Sequence, residues 1–235
     1  MRRLARAIVA AMTTIFPDRG PQIERLPRKY RIPFWACYVY SPQGESVLSK
    51  RSRLMCARVK ACNRKWLRRY VQALRENAAV ESYITGLSAD AVLVPIPPSD
   101  SATPAMLWSS HVLACALHHT GLGSSIWVGL RRHRAVTRSS KAWRWERPSV
   151  SEHFGSLQVD QPSVSLAQLV LIDDVITKGR TLMAAALRLH HAFPEARIAA
   201  LALIRTVGFV EEIHRLVDPC EGEIRWNGRD AYRDP

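Results

Sequence analysis

Residues 169–181 read LVLIDDVITKGRT, and the fold follows from how this stretch divides. From Gln168 to Asp173 the chain is nearly continuous in apolar residues. That is the pattern of a parallel strand buried on both faces. The strand is predicted to end at two adjacent acids, Asp173 and Asp174. A short loop follows, and residues 179–191 carry a helical pattern. In an open α/β sheet, ligands bind outside the carboxyl ends of the strands. A helix starting there offers unpaired backbone N–H groups and a positive dipole end, which suit a phosphate. Gly179 permits close backbone approach. Thr177 and Thr181 supply hydroxyls, and Lys178 and Arg180 supply charge. The two carboxylates repel a phosphate but accept hydrogen bonds from vicinal hydroxyls, as on a ribose. One strand end therefore reads as a ribose 5-phosphate site. A solvated helix cap is the plainer reading of the same two acids. A P-loop is excluded, because the order G-x-x-x-x-G-K-[ST] is absent.

Around this stretch, strands and helices alternate. Residues 89–97 (ADAVLVPIP) read as a buried strand, 104–119 as a helix ended by Gly121 and Gly123, and 125–130 (SIWVGL) as a second strand. A long polar, basic stretch runs from Arg131 to Ser156 and contains Trp143 and Trp145. After the helix at 179–191, residues 196–204 (ARIAALALI) form a fourth strand and 208–216 a short helix. This alternation predicts an α/β fold with a doubly wound, mainly parallel sheet.

The first third has a different character. Of the 34 Lys/Arg and 20 Asp/Glu in 235 residues, 18 and 3 lie between Met1 and Arg75, a net of +15 there against −1 in the rest. Residues 1–16 read as an amphipathic helix, and the Pro- and Arg-rich 17–33 as an extended connector. Residues 34–40 (FWACYVY) and 45–48, around Ser41-Pro42-Gln43-Gly44, predict a hairpin. A long helix is expected from 50 to 83, with Val59, Trp66, Tyr70 and Leu74 near one face and Arg58, Lys65 and Arg69 on another. The expected division is a basic accessory region, 1–84, and a second domain, 85–235. Such charge asymmetry points to an anionic partner: nucleic acid, an acidic membrane surface or an acidic protein, with DNA, RNA or a nucleoprotein contacting residues 1–75 as one form of it. An apolar fraction of 47% excludes wholesale disorder. No run is apolar and long enough to span a membrane. The five cysteines lack paired spacing, which predicts reduced thiols and a cytoplasmic location.

Residues 169–181 resemble the phosphoribosyl pyrophosphate (PRPP) signature of type I phosphoribosyltransferases. Four apolar residues, two acids and two aliphatics precede a Thr/Gly-rich loop ending in Thr, and of the 13 positions only Lys178 departs. A looser likeness to the competence-protein ComF-like branch covers residues 34–206. It rests on the aromatic segment 37–48, the basic helix, Val94-Pro95-Ile96-Pro97, the Arg-rich 131–147 and the signature. The branch's paired-cysteine zinc element is missing, and Lys141 and Ser149–Ser151 stand near the places of its usual Gln and Asn.

The resemblance implies Mg2+-dependent displacement of pyrophosphate from PRPP by an acceptor it does not identify. Asp173 and Asp174 would be catalytic, and Thr177, Lys178, Gly179, Arg180 and Thr181 would bind PRPP. No direct protein ligand to the metal is implied, because PRPP carries it. Residues 131–156 would form a lid whose cations meet the leaving pyrophosphate, with Arg134, Arg138, Lys141 and Arg147 as candidates beside Ser99 in the loop after the first strand. The tail 207–235 would form a hood. Removal of the first 75 residues is expected to spare PRPP binding. Two alternatives remain: a PRPP- or nucleotide-sensing module without turnover, and a nucleic-acid-associated effector in DNA uptake or phage defence, for example with a reverse transcriptase. Assembly into an oligomer is compatible with the chain. His118-His119 and His190-His191 read as favourable charges at helix C-termini, and His111 and His153 lie near the proposed loops without an assigned role.

Overall fold

The computed structural model describes residues 27–76, 90–100, 107–137, 148–160, 166–207 and 212–234. A seven-stranded sheet runs through them. Its strands are β1 (Tyr30–Tyr40), β2 (Val92–Pro95), β3 (Ser125–Ile126), β6 (Gln168–Ile176), β7 (Arg197–Thr206), β8 (Val217–Trp226) and β9 (Ala231–Asp234), in the order β3-β2-β6-β7-β1-β8-β9. The pairs from β3 to β1 are parallel, and β8 and β9 are antiparallel additions. Two short strands, β4 (Leu130–Arg132) and β5 (Leu157–Val159), pair separately.

Five helices cover the sheet among the described residues. On one face α1 (Val47–Lys60), α2 (Arg64–Arg75) and α3 (Ser109–His119) share a buried cluster with Tyr38, Leu93, Val170 and Leu201. On the other, α4 (Val150–Ser156) and α5 (Arg180–Ala192) pack with Phe34, Val94, Leu171 and Ala200. Leu171 and Ile172, neighbours in β6, are fully buried on opposite sides. Burial of each contributes about 1.5–3 kcal/mol. Enclosure on both faces explains the continuous apolar run. The architecture is α/β with a mostly parallel sheet, compatible with double winding.

Several expectations need correction. The hairpin at 34–48 does not form. Residues 30–40 are instead an interior strand, parallel to β7 and antiparallel to β8. The expected return strand begins α1, because the Ser46 side chain accepts the Ser49 N–H as a helix cap. An isolated two-stranded hairpin could not bury Phe34 and Tyr38 on opposite faces. The long helix breaks at Cys62, which takes φ 55, and restarts at Asn63, whose side chain caps the Trp66 N–H. In α2 the buried residues are Leu67, Val71 and Leu74, while Trp66 and Tyr70 are only partly buried. Trp66 stacks on Tyr70 and lies under the Arg58 guanidinium at 3.8 Å.

The expected strand 125–130 divides between β3 and β4, which belong to different sheets. Residues 148–156 are not a loose polar stretch, because Val150 and Phe154 are core. The tail forms β8 and β9 at the sheet edge, so residues 217–234 extend the sheet where a hood was expected. Residues 212–216 are not helical. The expected terminal helix, residues 77–83, the boundary at 84, Trp143, Trp145 and residues 208–211 lie outside the described residues. Packing across that boundary is nevertheless continuous, since β1, α1 and α2 share their core with α3 and β6. No described helix is long and apolar enough to cross a membrane.

Candidate functional site

After β2 the chain leaves through α3 toward β3, and after β6 it leaves through α5 toward β7. The two helices lie on opposite faces of the sheet. The carboxyl ends of β2 and β6 thus flank a point where the winding diverges, the usual place for a ligand crevice in such sheets. Strand β6 extends through Ile176, so both acids sit inside its last turns of pleat rather than beyond its end. Residues 173 and 175–182 line a cavity of about 40 Å³ there. The structure therefore brings Asp173, Thr177, Lys178, Gly179, Arg180 and Thr181 to one concavity.

Local sequence explains the shape of the loop. Gly179 caps α5 in the left-handed region, with φ 81. A Cβ there would lie 2.7 Å from Ile224 Cγ2, so this position needs glycine on two counts. The first helical N–H groups after Gly179 precede the first bond back, Met183 N–H to the Gly179 carbonyl at 2.8 Å. They carry the positive end of α5 toward the cavity.

The carboxylates meet hydroxyl donors from α3, which sequence reasoning did not connect to the site. Ser109 Oγ donates to Asp174 Oδ2 at 2.7 Å, and Ser110 Oγ donates to Asp173 Oδ1 at 3.3 Å. The Asp174 N–H also donates to Asp173 Oδ1, at 2.9 Å. Burial, reinforced by Asp174, pushes the Asp173 carboxyl well above its usual range. A carboxylate has about four acceptor directions, so capacity for further hydroxyls remains.

Helix α4 reaches the loop through Thr181. Ser149 caps this helix and its N–H donates to Glu152 Oε2 at 2.7 Å, completing a capping box. That fixes His153, whose Nε2 lies 3.3 Å from Thr181 Oγ1 while its buried Nδ1 has no partner among the described residues. Burial, helped by Arg132, lowers His153 to about 4, so the ring is neutral near pH 7. Arg132 is itself buried and donates from Nε to the Pro98 carbonyl at 2.8 Å and from Nη1 to Ser156 Oγ. Burial brings its guanidinium down to about 10, opposed by Asp173. The Val136 N–H donates to the Ser99 carbonyl at 2.9 Å. The loop after β2 is thus tied to the start of the basic stretch, with Ser99 partly buried and Arg134 exposed. Arg138, Lys141 and Arg147 lie outside the described residues.

Asp230, in the turn between β8 and β9, is a further participant. Arg180 donates from Nε and Nη2 to the two Asp230 oxygens, both at 2.6 Å, and from Nη1 to the Pro148 carbonyl at 3.4 Å. The sequence reading placed this residue only within a tail expected to form a hood. Ser109 and Ser110 carried no motif, and Arg132 belonged to the Arg-rich stretch without a role of its own; contacts 24 to 65 residues apart bring the three in.

Among the described residues no group of three or more side chains could hold a metal by itself. Two adjacent carboxylates do fit a hard cation such as Mg2+ that keeps its waters and is bound chiefly through ligand phosphates. No family model matches the chain, and no curated protein gives a significant match.

Proposed function

We propose that the chain is a PRPP-binding phosphoribosyltransferase of the type I kind, transferring the phosphoribosyl group to an acceptor with release of pyrophosphate. The observation that carries this reading is the junction of β6 and α5. There the signature residues converge on one small cavity, with Gly179 in the left-handed conformation and paired carboxylates directly upstream.

In this reading the 5-phosphate lies on the loop, held by the α5 N-terminus, Thr177, Thr181 and Lys178. Asp173 and Asp174 accept the ribose hydroxyls and favour the positive charge that develops at C1 as its bond to pyrophosphate breaks. The acceptor's nucleophile then bonds to C1. Mg2+ bound with PRPP would supply charge neutralisation at the pyrophosphate, and Asp173 and Asp174 would be the carboxylates available to its waters. Ser99 and Arg134 stand on the β2 side, where the leaving group departs.

Isotopically labelled PRPP with a panel of bases tests the proposal. Mg2+-dependent pyrophosphate release is expected, and Asp174→Ala should lower PRPP affinity by about tenfold or more. PRPP binding without turnover would instead indicate a sensing module, and no binding at all would end both readings.

A second reading, contact with nucleic acid, is favoured by one feature. Arg64, Arg68, Arg69 and Gln72 of α2 face Ala116 and His119 of α3 across adjoining hollows of about 180 and 470 Å³. Single-stranded DNA binding is expected to fall steeply with salt, with a slope reduced in Arg64→Gln/Arg68→Gln. Equal slopes in variant and wild type would remove this face from consideration.

A further inference from the structure

The pairing of Arg180 with Asp230 assigns a role to the C-terminal turn. The loop 177–180 carries two cations, Lys178 and Arg180. Asp230 accepts two hydrogen bonds from Arg180 in a side-on, two-point geometry, and its Oδ1 also accepts the Ala231 N–H at 2.8 Å. The pair is about four-fifths buried, with side-chain exposures of 23% and 21%. The acid is also firmly presented. Asn227 Oδ1 accepts the N–H groups of Arg229 and Asp230, each at 3.0 Å, and Gly228 takes φ 89 to close the turn. The hairpin is fastened to the loop on either side. Arg233 donates to the Ile176 carbonyl at 3.3 Å and to the Thr206 carbonyl at 2.8 Å, and Ile224 sits beneath Gly179. Burial alone would raise Asp230, yet the hydrogen bonds from Arg180 hold its carboxyl below the usual range, so the countercharge is present at neutral pH.

We propose that Asp230 is a charge-tuning residue of the phosphate cradle: by neutralising Arg180 it weakens the cradle's hold on a phosphate alone, so that tight binding requires the ligand's hydroxyls at Asp173 and Asp174. The inference rests on the reading of this loop as a phosphate site. Its physical basis is that a site with two uncompensated cations beside a helix N-terminus binds any phosphate dianion, inorganic phosphate included. A fixed carboxylate removes that indiscriminate term and leaves recognition to the two ends of the ligand together.

Calorimetry with inorganic phosphate and ribose 5-phosphate on the full chain tests it. Asp230→Asn should bind inorganic phosphate about tenfold more tightly than wild type, the effect of removing one charge at close range in a partly screened site. Asp230→Glu, which keeps the charge, should stay within about threefold of wild type. Asp230→Thr serves as a second neutral variant where the asparagine form does not fold, and melting curves check each protein. Phosphate affinity that is unchanged or lower in folded neutral variants overturns the proposal and makes Asp230 a brace only. PRPP binding to wild type with that result leaves the site reading intact, whereas no binding of PRPP, ribose 5-phosphate or phosphate overturns both.

Discussion

Gly179 and His153 show what single residues decide at this site. Gly179→Ala forces a side chain into a left-handed backbone and against Ile224. A cost of about 1–2 kcal/mol in urea unfolding is expected, together with weaker phosphate binding. Wild-type stability would refute the stated role of this glycine. His153 is held neutral, at about 4 against an ordinary 6.5. Its folded value is depressed, so the unfolded chain takes up a proton first as the pH falls. The stability His153 confers is present above pH 6.5 and lost between there and about 4. His153→Gln should remove that slope, worth up to roughly 3 kcal/mol. Asp173, raised in the fold, contributes the opposite sign as pH rises above its unfolded value, so the difference between variant and wild type isolates the histidine. Identical pH profiles would contradict its burial as a neutral ring. The loop's chemistry was legible in LVLIDDVITKGRT because the residues that make it are consecutive. The neutralisation of Arg180 and the setting of His153 were not, because their partners lie 50 and 28 residues away.

At the level of elements, local signals succeeded where a helix or strand carries its own cap or its own apolar run. Strand β6 and helix α5 stand close to where the sequence placed them, although the strand runs three residues further. The break between α1 and α2 was missed because continuous helical periodicity masked Asn63 as a cap. Helix α4 illustrates how an element serves the site. Its seven residues are too few to persist alone, and the Ser149–Glu152 capping box with packing against α5 holds His153 beside Thr181. Ser149→Ala should cost about 1 kcal/mol of stability and loosen Thr181, read as a drop in phosphate affinity of a few fold. Loss of stability with undiminished affinity would separate α4 from ligand binding.

For the whole molecule, the placement of β1 matters most. Sequence reasoning treated the first third as an addition whose removal spares the site. In the sheet, β1 lies between β7 and β8 and joins the parallel core to the hairpin that carries Asp230. A chain lacking residues 1–75 is therefore expected to lose the cooperative melt of the intact protein and to bind no PRPP. A soluble, cooperatively melting remnant would contradict the sheet order. By itself the sequence determined the class of the fold and the residues of the loop between β6 and α5, since both are written in short-range patterns: apolar runs, a glycine at a turn, acids beside threonines. Only the tertiary structure decided that FWACYVY is an interior strand, that α3 serines meet the two aspartates, and that the tail neutralises Arg180. The physical reason is that strand order and side-chain pairing across distant segments depend on how both faces of a sheet are buried, and local spacing carries no record of which segment will cover which face.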